Sequence, residues 1–297
     1  MVSKHELYHS HCDETYSTSI KFISENQGFE QRLHLNLLIY EEIGDLIPFT
    51  NVNLDSGHYF PYSESQCELR SSLELALQGF YSYAFFALRS FMELGMLGIS
   101  FAAIDCEHIE VQPWLHSEGR TPGQRDIFKS LDRIELFRNF DTKFKLRERV
   151  SKTLNELGGF VHTRGYGYSS QALNLANYST FSQKSLQMYE SFMTRAVTDV
   201  VITMLLKYPI GSQSLPIFEK FGLEIPLGGF LEEHQVALIF SIIPEDEREF
   251  LNTISEQSKD VQAILNHINN LPDITEDELD QQLERHEKFM SPYRAKK

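Results

Sequence analysis

The stretch from Phe80 to Ile104 constrains this chain most, because it is apolar nearly all round yet carries Arg89 and Glu93 near its middle. It is long enough to suggest a membrane span. Each charge at a bilayer centre would cost about 2.5–3.5 kcal/mol on insertion scales. The stretch therefore reads as a buried helix of a soluble bundle, with no membrane partner expected. Arg89 and Glu93 stand four apart and share one helix face. A charge on such a helix must be paired or solvated, since stranding it costs several kcal/mol. One reading is a partly buried ion pair or two links to a neighbouring helix. The other is a polar cleft in which Arg89 binds a phosphate or carboxylate.

Around this helix the sequence is patterned for more helix. Leu69, Leu73, Ala76, Leu77 and Phe80 fall on one helical face, and Gly79 allows a short turn before the apolar helix. Patterning resumes at Ile127, Leu131 and Ile134, and again from Phe144 to Leu157. Gly158-Gly159 is expected to break the helix before Phe160-Val161-His162, and residues 165–179 read as loop. A long helix from about Phe181 to Lys207 is closed by Pro209 and Gly211.

Residues 1–28 are polar, without a sustained period, and read as an arm or cap. From Phe29 to Ile47 the length favours a helix, while the Leu33-Leu35-Leu37 alternation permits a strand. The stretch from Thr50 to Tyr62 reads as loop. After residue 210 the chain is punctuated by Gly and Pro, and Gln235–Ile243 fits helix or strand. Pro244 opens a helix with an apolar stripe from Leu251 to Ile268, and Thr275 with Glu278 forms a capping box for a charged last helix. The expected organisation is an N-terminal arm and flank over 1–62, a helical bundle over 63–209 and a C-terminal helical region over 210–297. Any strand is expected only within 29–60 or 210–243.

With 41% apolar and 23% charged residues, the 297-residue chain can bury a core. Its formal charge of −15 argues against a general nucleic-acid coat. Cys12, Cys67 and Cys106 are scattered and form no CxxC, so neither a disulfide framework nor a structural zinc site is indicated. The first residues lack the apolar core of a signal peptide, and a reduced cytoplasm is the expected compartment.

Candidate chemistry is sparse. His162 precedes Thr163, Arg164 and a Gly-Tyr-Gly-Tyr run. A histidine near an arginine can act as general acid or base beside a phosphate anchor; it can equally cap a helix or bond across to Glu93. His5, His9, His11, Cys12 and Asp13 can be drawn as metal ligands, but such a site needs ligands from other elements. Cys106 with His108 makes a weaker case of the same kind. No HExxH, P-loop, GxGxxG or GxSxG pattern is present, and no metal or cofactor is expected.

The segment from Glu64 to Gly165 resembles the HEPN superfamily of helical domains, common in prokaryotic toxin and phage-defence proteins. The resemblance lies in Leu73 to Gly79, Tyr83-Ala84, Ala87-Leu88-Arg89-Ser90 with Glu93, the Pro113-Trp114 loop and Gly159-Phe160-Val161-His162. It implies a mainly α, four-helix-type core, here with added C-terminal helices and minor or no β. It also implies frequent homodimerisation and, in active members, metal-independent RNA cleavage. Those enzymes separate an Arg from the catalytic His by four to six intervening residues, the Arg holding the scissile phosphate. Here the corresponding positions are Leu157, Glu156 and Asn155, so Arg89 or Arg164 would have to supply the guanidinium. The expected function is accordingly regulatory: an interaction or sensing protein of a defence or stress system, acting on a protein partner or on itself. An endoribonuclease centred on His162, with Arg89, Glu93 and Arg164 around it, is the alternative, with RNA as substrate. A metal-dependent hydrolase built on the N-terminal histidines is a second alternative.

Overall fold

The computed structural model describes residues 4–48, 57–104, 111–177, 179–222 and 228–294; the side chains of 4–10, 286, 287 and 289–294 are left out of the description. The fold is 79% helical, and no strand occurs among the described residues, which makes the class all-α. The main helices are α1 (Lys4–Ser24), α2 (Gln27–Glu42), α3 (Tyr59–Leu77), α4 (Tyr81–Ile104), α5 (Gln124–Leu131), α6 (Glu135–Phe144) and α7 (Leu146–Val161). They continue with α8 (Gln183–Lys207), α9 (Glu233–Phe240), α10 (Glu245–Gln257), α11 (Lys259–Asn269) and α12 (Glu276–Arg294).

Helix α4 is the axis of the bundle. It packs most extensively on α3 and then on α8, α7 and α5. It is long and apolar enough to cross a membrane, and 61% of that stretch is buried inside the fold. Phe85, Leu88, Phe91 and Met92 are fully enclosed. Gly79 makes the turn from α3 into α4 with a φ of +80°, and a Cβ there would lie 2.7 Å from the backbone nitrogen of Thr180. Both facts require glycine.

Several sequence expectations are corrected. The segment read as an arm or cap begins with a helix, α1, which packs on α2 and α3. Its buried face is Thr15, Ser19 and Ile23, spaced by four. Two of the three are polar, so the helical period is invisible to a hydrophobicity scan. Their hydroxyls are satisfied: Thr15 donates to the Ser179 carbonyl, and Ser19 to the carbonyl of Thr15 at 3.0 Å. The segment from Phe29 is helix α2, with Phe29, Leu33, Asn36, Ile39 and Tyr40 inside, and its last residues tighten into a 3-10 turn (Ile43–Leu46). Of the loop expected over Thr50–Tyr62, residues 50–56 lie outside the described residues, and α3 already begins at Tyr59.

Gln235–Ile243 resolves in favour of helix, as α9. The stripe from Leu251 to Ile268 belongs to two helices rather than one, because Ser258 turns extended and its side chain accepts from the Val261 amide as an N-cap. The Thr275–Glu278 capping box is present, with the Thr275 amide donating to Glu278 Oε2 at 3.0 Å and the Glu278 amide to Thr275 Oγ1 at 3.3 Å.

Gly158-Gly159 does not break α7, which runs through to Val161. The pair serves close packing instead. A Cβ at Gly158 would stand 2.6 Å from the Arg89 guanidinium, and one at Gly159 would enter the ring of Tyr168. Gly159→Ala should therefore destabilise by about 1–3 kcal/mol through overpacking. In a Tyr168→Ala background the same change should turn stabilising by up to about 1 kcal/mol, the ordinary gain of Ala over Gly inside a helix. Urea unfolding of the four members of this cycle checks the reversal of sign.

Candidate functional site

The Arg89–Glu93 pair forms on α4, with Nε and Nη2 of Arg89 donating to Glu93 Oε1 at 3.0 and 2.8 Å. The side chains are 28% and 47% exposed, so the pair is partly buried. The missing side chain of Gly158 leaves the space that the guanidinium fills. Arg89, Glu93 and the end of α7 are thus brought together.

His162 and Arg164 do not join them. His162 is the C-cap of α7; its amide donates to the Gly158 carbonyl at 3.1 Å while its side chain is exposed. The expected bond from the imidazole to Glu93 is absent among the described residues, and the ring has no hydrogen-bond partner. The reason is geometric: α7 continues through the glycine pair, so His162 emerges beyond the helix end and faces outward. Thr163, with a φ of +46°, then turns the chain. Arg164 is also exposed, and its amide donates to the Gly159 carbonyl at 2.9 Å. A general base works when a third group orients it, and His162 has none among the described residues.

The N-terminal cluster lies on α1, where the side chains of His5 and His9 fall outside the described residues. Among the described residues no three His, Cys, Asp or Glu converge to hold a metal ion. Cys106 and His108 also lie outside them.

Two arrangements were missed by sequence reasoning. The first is a half-enclosed cavity of about 310 Å³ between α4, α5, α7 and the Thr121–Gly123 segment. Leu94, Leu97, Ile127, Phe128 and Leu154 give it an apolar body, and Ser90, Glu93, Thr121 and Gln124 supply the polar groups. Glu93 therefore belongs at once to the ion pair and to the cavity wall. The cavity depends on three helices meeting, and nothing local in the sequence announces it.

The second is a charge cluster joining three helices. Arg149 of α7 donates from Nε to Asp199 Oδ1 at 2.5 Å, and from Nη1 and Nη2 to the two oxygens of Glu247 at 2.5 and 3.1 Å. The Asp199 side chain is 2% exposed. Burial pushes its carboxyl up to about 6, outweighing the opposing pull of Arg149. The signal was readable in part, since Asp199 interrupts the run Ala196-Val197-Thr198-Asp199-Val200-Val201 and needs a cation there.

Comparison with protein-family models, with curated proteins and with solved structures finds no match to this chain.

Proposed function

We propose that this chain is a HEPN-like helical protein that acts by interaction or sensing in a prokaryotic defence or stress response, without cutting RNA itself. The observation that carries this reading is the direction of the Arg89 guanidinium: it closes on Glu93 and packs over Gly158, while His162 stands outside with no orienting group among the described residues. A phosphate-binding arginine and a proton-moving histidine have to converge on one scissile group. The reading places the protein in the cytoplasm, engaging a protein partner or a second copy of itself. The alternative, a metal-independent endoribonuclease, draws on one fact: His162 and Arg164 are both exposed on the same turn and open to a polymer.

The test is purified protein with RNA in EDTA, run beside His162→Ala. Intact RNA is expected with both proteins. Because the His162 side chain is exposed, the variant should melt within about 1 °C of the parent, as surface changes away from special features do. Cleavage by the parent that vanishes in a fully folded His162→Ala protein would overturn the proposal in favour of the ribonuclease.

A further inference from the structure

We infer that the cavity between α4, α5 and α7 is a binding site for a small organic cation: an apolar, ring-sized body carrying an ammonium group that sits against Glu93. The inference deepens the sensing reading and rests on it for its biological role, though not for the binding itself.

Size comes first. A protein cavity of roughly 150 Å³ lined by apolar side chains admits benzene. This one is about 310 Å³ and opens to solvent on one side, which suits a bicyclic body with a short polar arm. The body would lie against Leu97, Ile127, Phe128 and Leu154, where burial of apolar surface favours it.

Charge and hydrogen bonding then select the arm. Among the described residues no Lys, Arg or His lines the cavity, and Glu93 is the one charged residue of its lining. Arg89 does not line it, and both guanidinium nitrogens bond the same carboxylate oxygen, Oε1. Oε2 of Glu93 accepts no hydrogen bond among the described residues. Gln124 lies on the wall with one amide N–H donating to Ser151 at 2.8 Å, which leaves its carbonyl oxygen and one N–H. Thr121 Oγ1 accepts from the Trp114 indole at 3.1 Å. The lining therefore carries one carboxylate and no cation among the described residues, beside hydroxyl and amide groups that can donate or accept. The open Oε2 of Glu93 takes a donor, and an ammonium brings three with a complementary charge. A phosphate or carboxylate ligand would meet repulsion from Glu93 with no cation on the described lining to offset it.

Three probes share one bicyclic body and differ in charge: tryptamine, its neutral alcohol tryptophol, and indole-3-propionate. Calorimetric titration and ligand-observed NMR should rank them in that order, with the carboxylate unbound. Glu93→Gln should weaken tryptamine by about tenfold or more, as loss of a charge-assisted bond does, and leave tryptophol within about threefold. Gly123→Trp should block all three. Gly123 lines the cavity, and a Cβ there meets no atom within 4 Å, so a large side chain is accepted at the rim without straining the backbone. Absence of binding by every probe at about millimolar concentration, where weak fragments still register, would overturn the inference. So would equal binding of indole-3-propionate, or tryptamine binding that survives Gly123→Trp. If the probes fail while RNA stays intact, the ligand falls and the sensing reading stands; if RNA is cut by His162 while tryptamine binds, the reverse holds.

Discussion

Replacing Arg149 by alanine should cost about 3–5 kcal/mol, because it strands two carboxylates that the fold holds inside. Asp199 and Glu247 are both buried, and Arg149 is the cation that bonds each of them. In a chain of this size the loss corresponds to a fall in melting temperature on the order of 10 °C. Arg149→Lys should recover only part, since an ammonium lacks the planar fork that reaches both carboxylates. The deficit should also depend on pH, with a sign fixed by Asp199. Its folded carboxyl is pushed up to about 6, above the ordinary carboxylate range. The folded state therefore takes up a proton before the unfolded state does. That contribution to stability is complete below about pH 4 and is lost as pH rises through about 6. Without Arg149 the carboxyl moves higher still. Urea unfolding should then show a smaller deficit for Arg149→Ala at pH 5 than at pH 7.5. Adding Asp199→Asn to that variant should restore part of the stability at pH 7.5, Glu247 still lacking Arg149, and do little at pH 5.

Phe85→Ala should be comparably damaging, at about 3–5 kcal/mol, for an unrelated reason. The Phe85 ring is fully enclosed and stacks on Phe160 with centroids 4.1 Å apart, while Phe192 presents its edge at 5.4 Å. Deleting the ring opens a void where α4, α7 and α8 meet. The neighbours cannot collapse into it readily, because Tyr189, which also borders Phe85, is fixed by its 2.6 Å hydrogen bond to Ser72. Phe60→Ala supplies the comparison: that ring is 46% exposed, and its removal should cost less than about 1.5 kcal/mol because little burial is lost. Denaturation midpoints at constant slope separate the two cases.

The readable parts of the sequence were those whose meaning is local. Helix α4 declared itself by length and apolarity, its Arg–Glu pair by spacing of four, and the last cap by Thr275 and Glu278. Helix α1 did not, because Thr15 and Ser19 are buried through hydroxyl-to-carbonyl bonds that a hydrophobic pattern does not register. Gly158-Gly159 was misread as a break because glycine has two opposite uses, ending a helix or admitting a neighbour. Only Arg89 and Tyr168, brought up by the tertiary fold, decide between them. His162 was misplaced as a direct result. Asp199 marked itself as a charge in need of a partner, but no local pattern points from it to Arg149 or Glu247.

Helix α7 has one further consequence. Val150, Leu154 and Gly158 form a single stripe at intervals of four; the first two wall the cavity and the third receives Arg89. Arg149, one residue round, grips α8 and α10. An inserted or deleted residue within this helix would rotate everything beyond it by about 100°. Insertion near Val150 would carry Leu154 off the cavity and slide Gly158 from beneath the guanidinium in the same stroke. Helix α7 thus has a phase as well as a composition. Chains sharing this architecture should vary in length around residues 165–179 but keep the count from Arg149 to Gly158 unchanged.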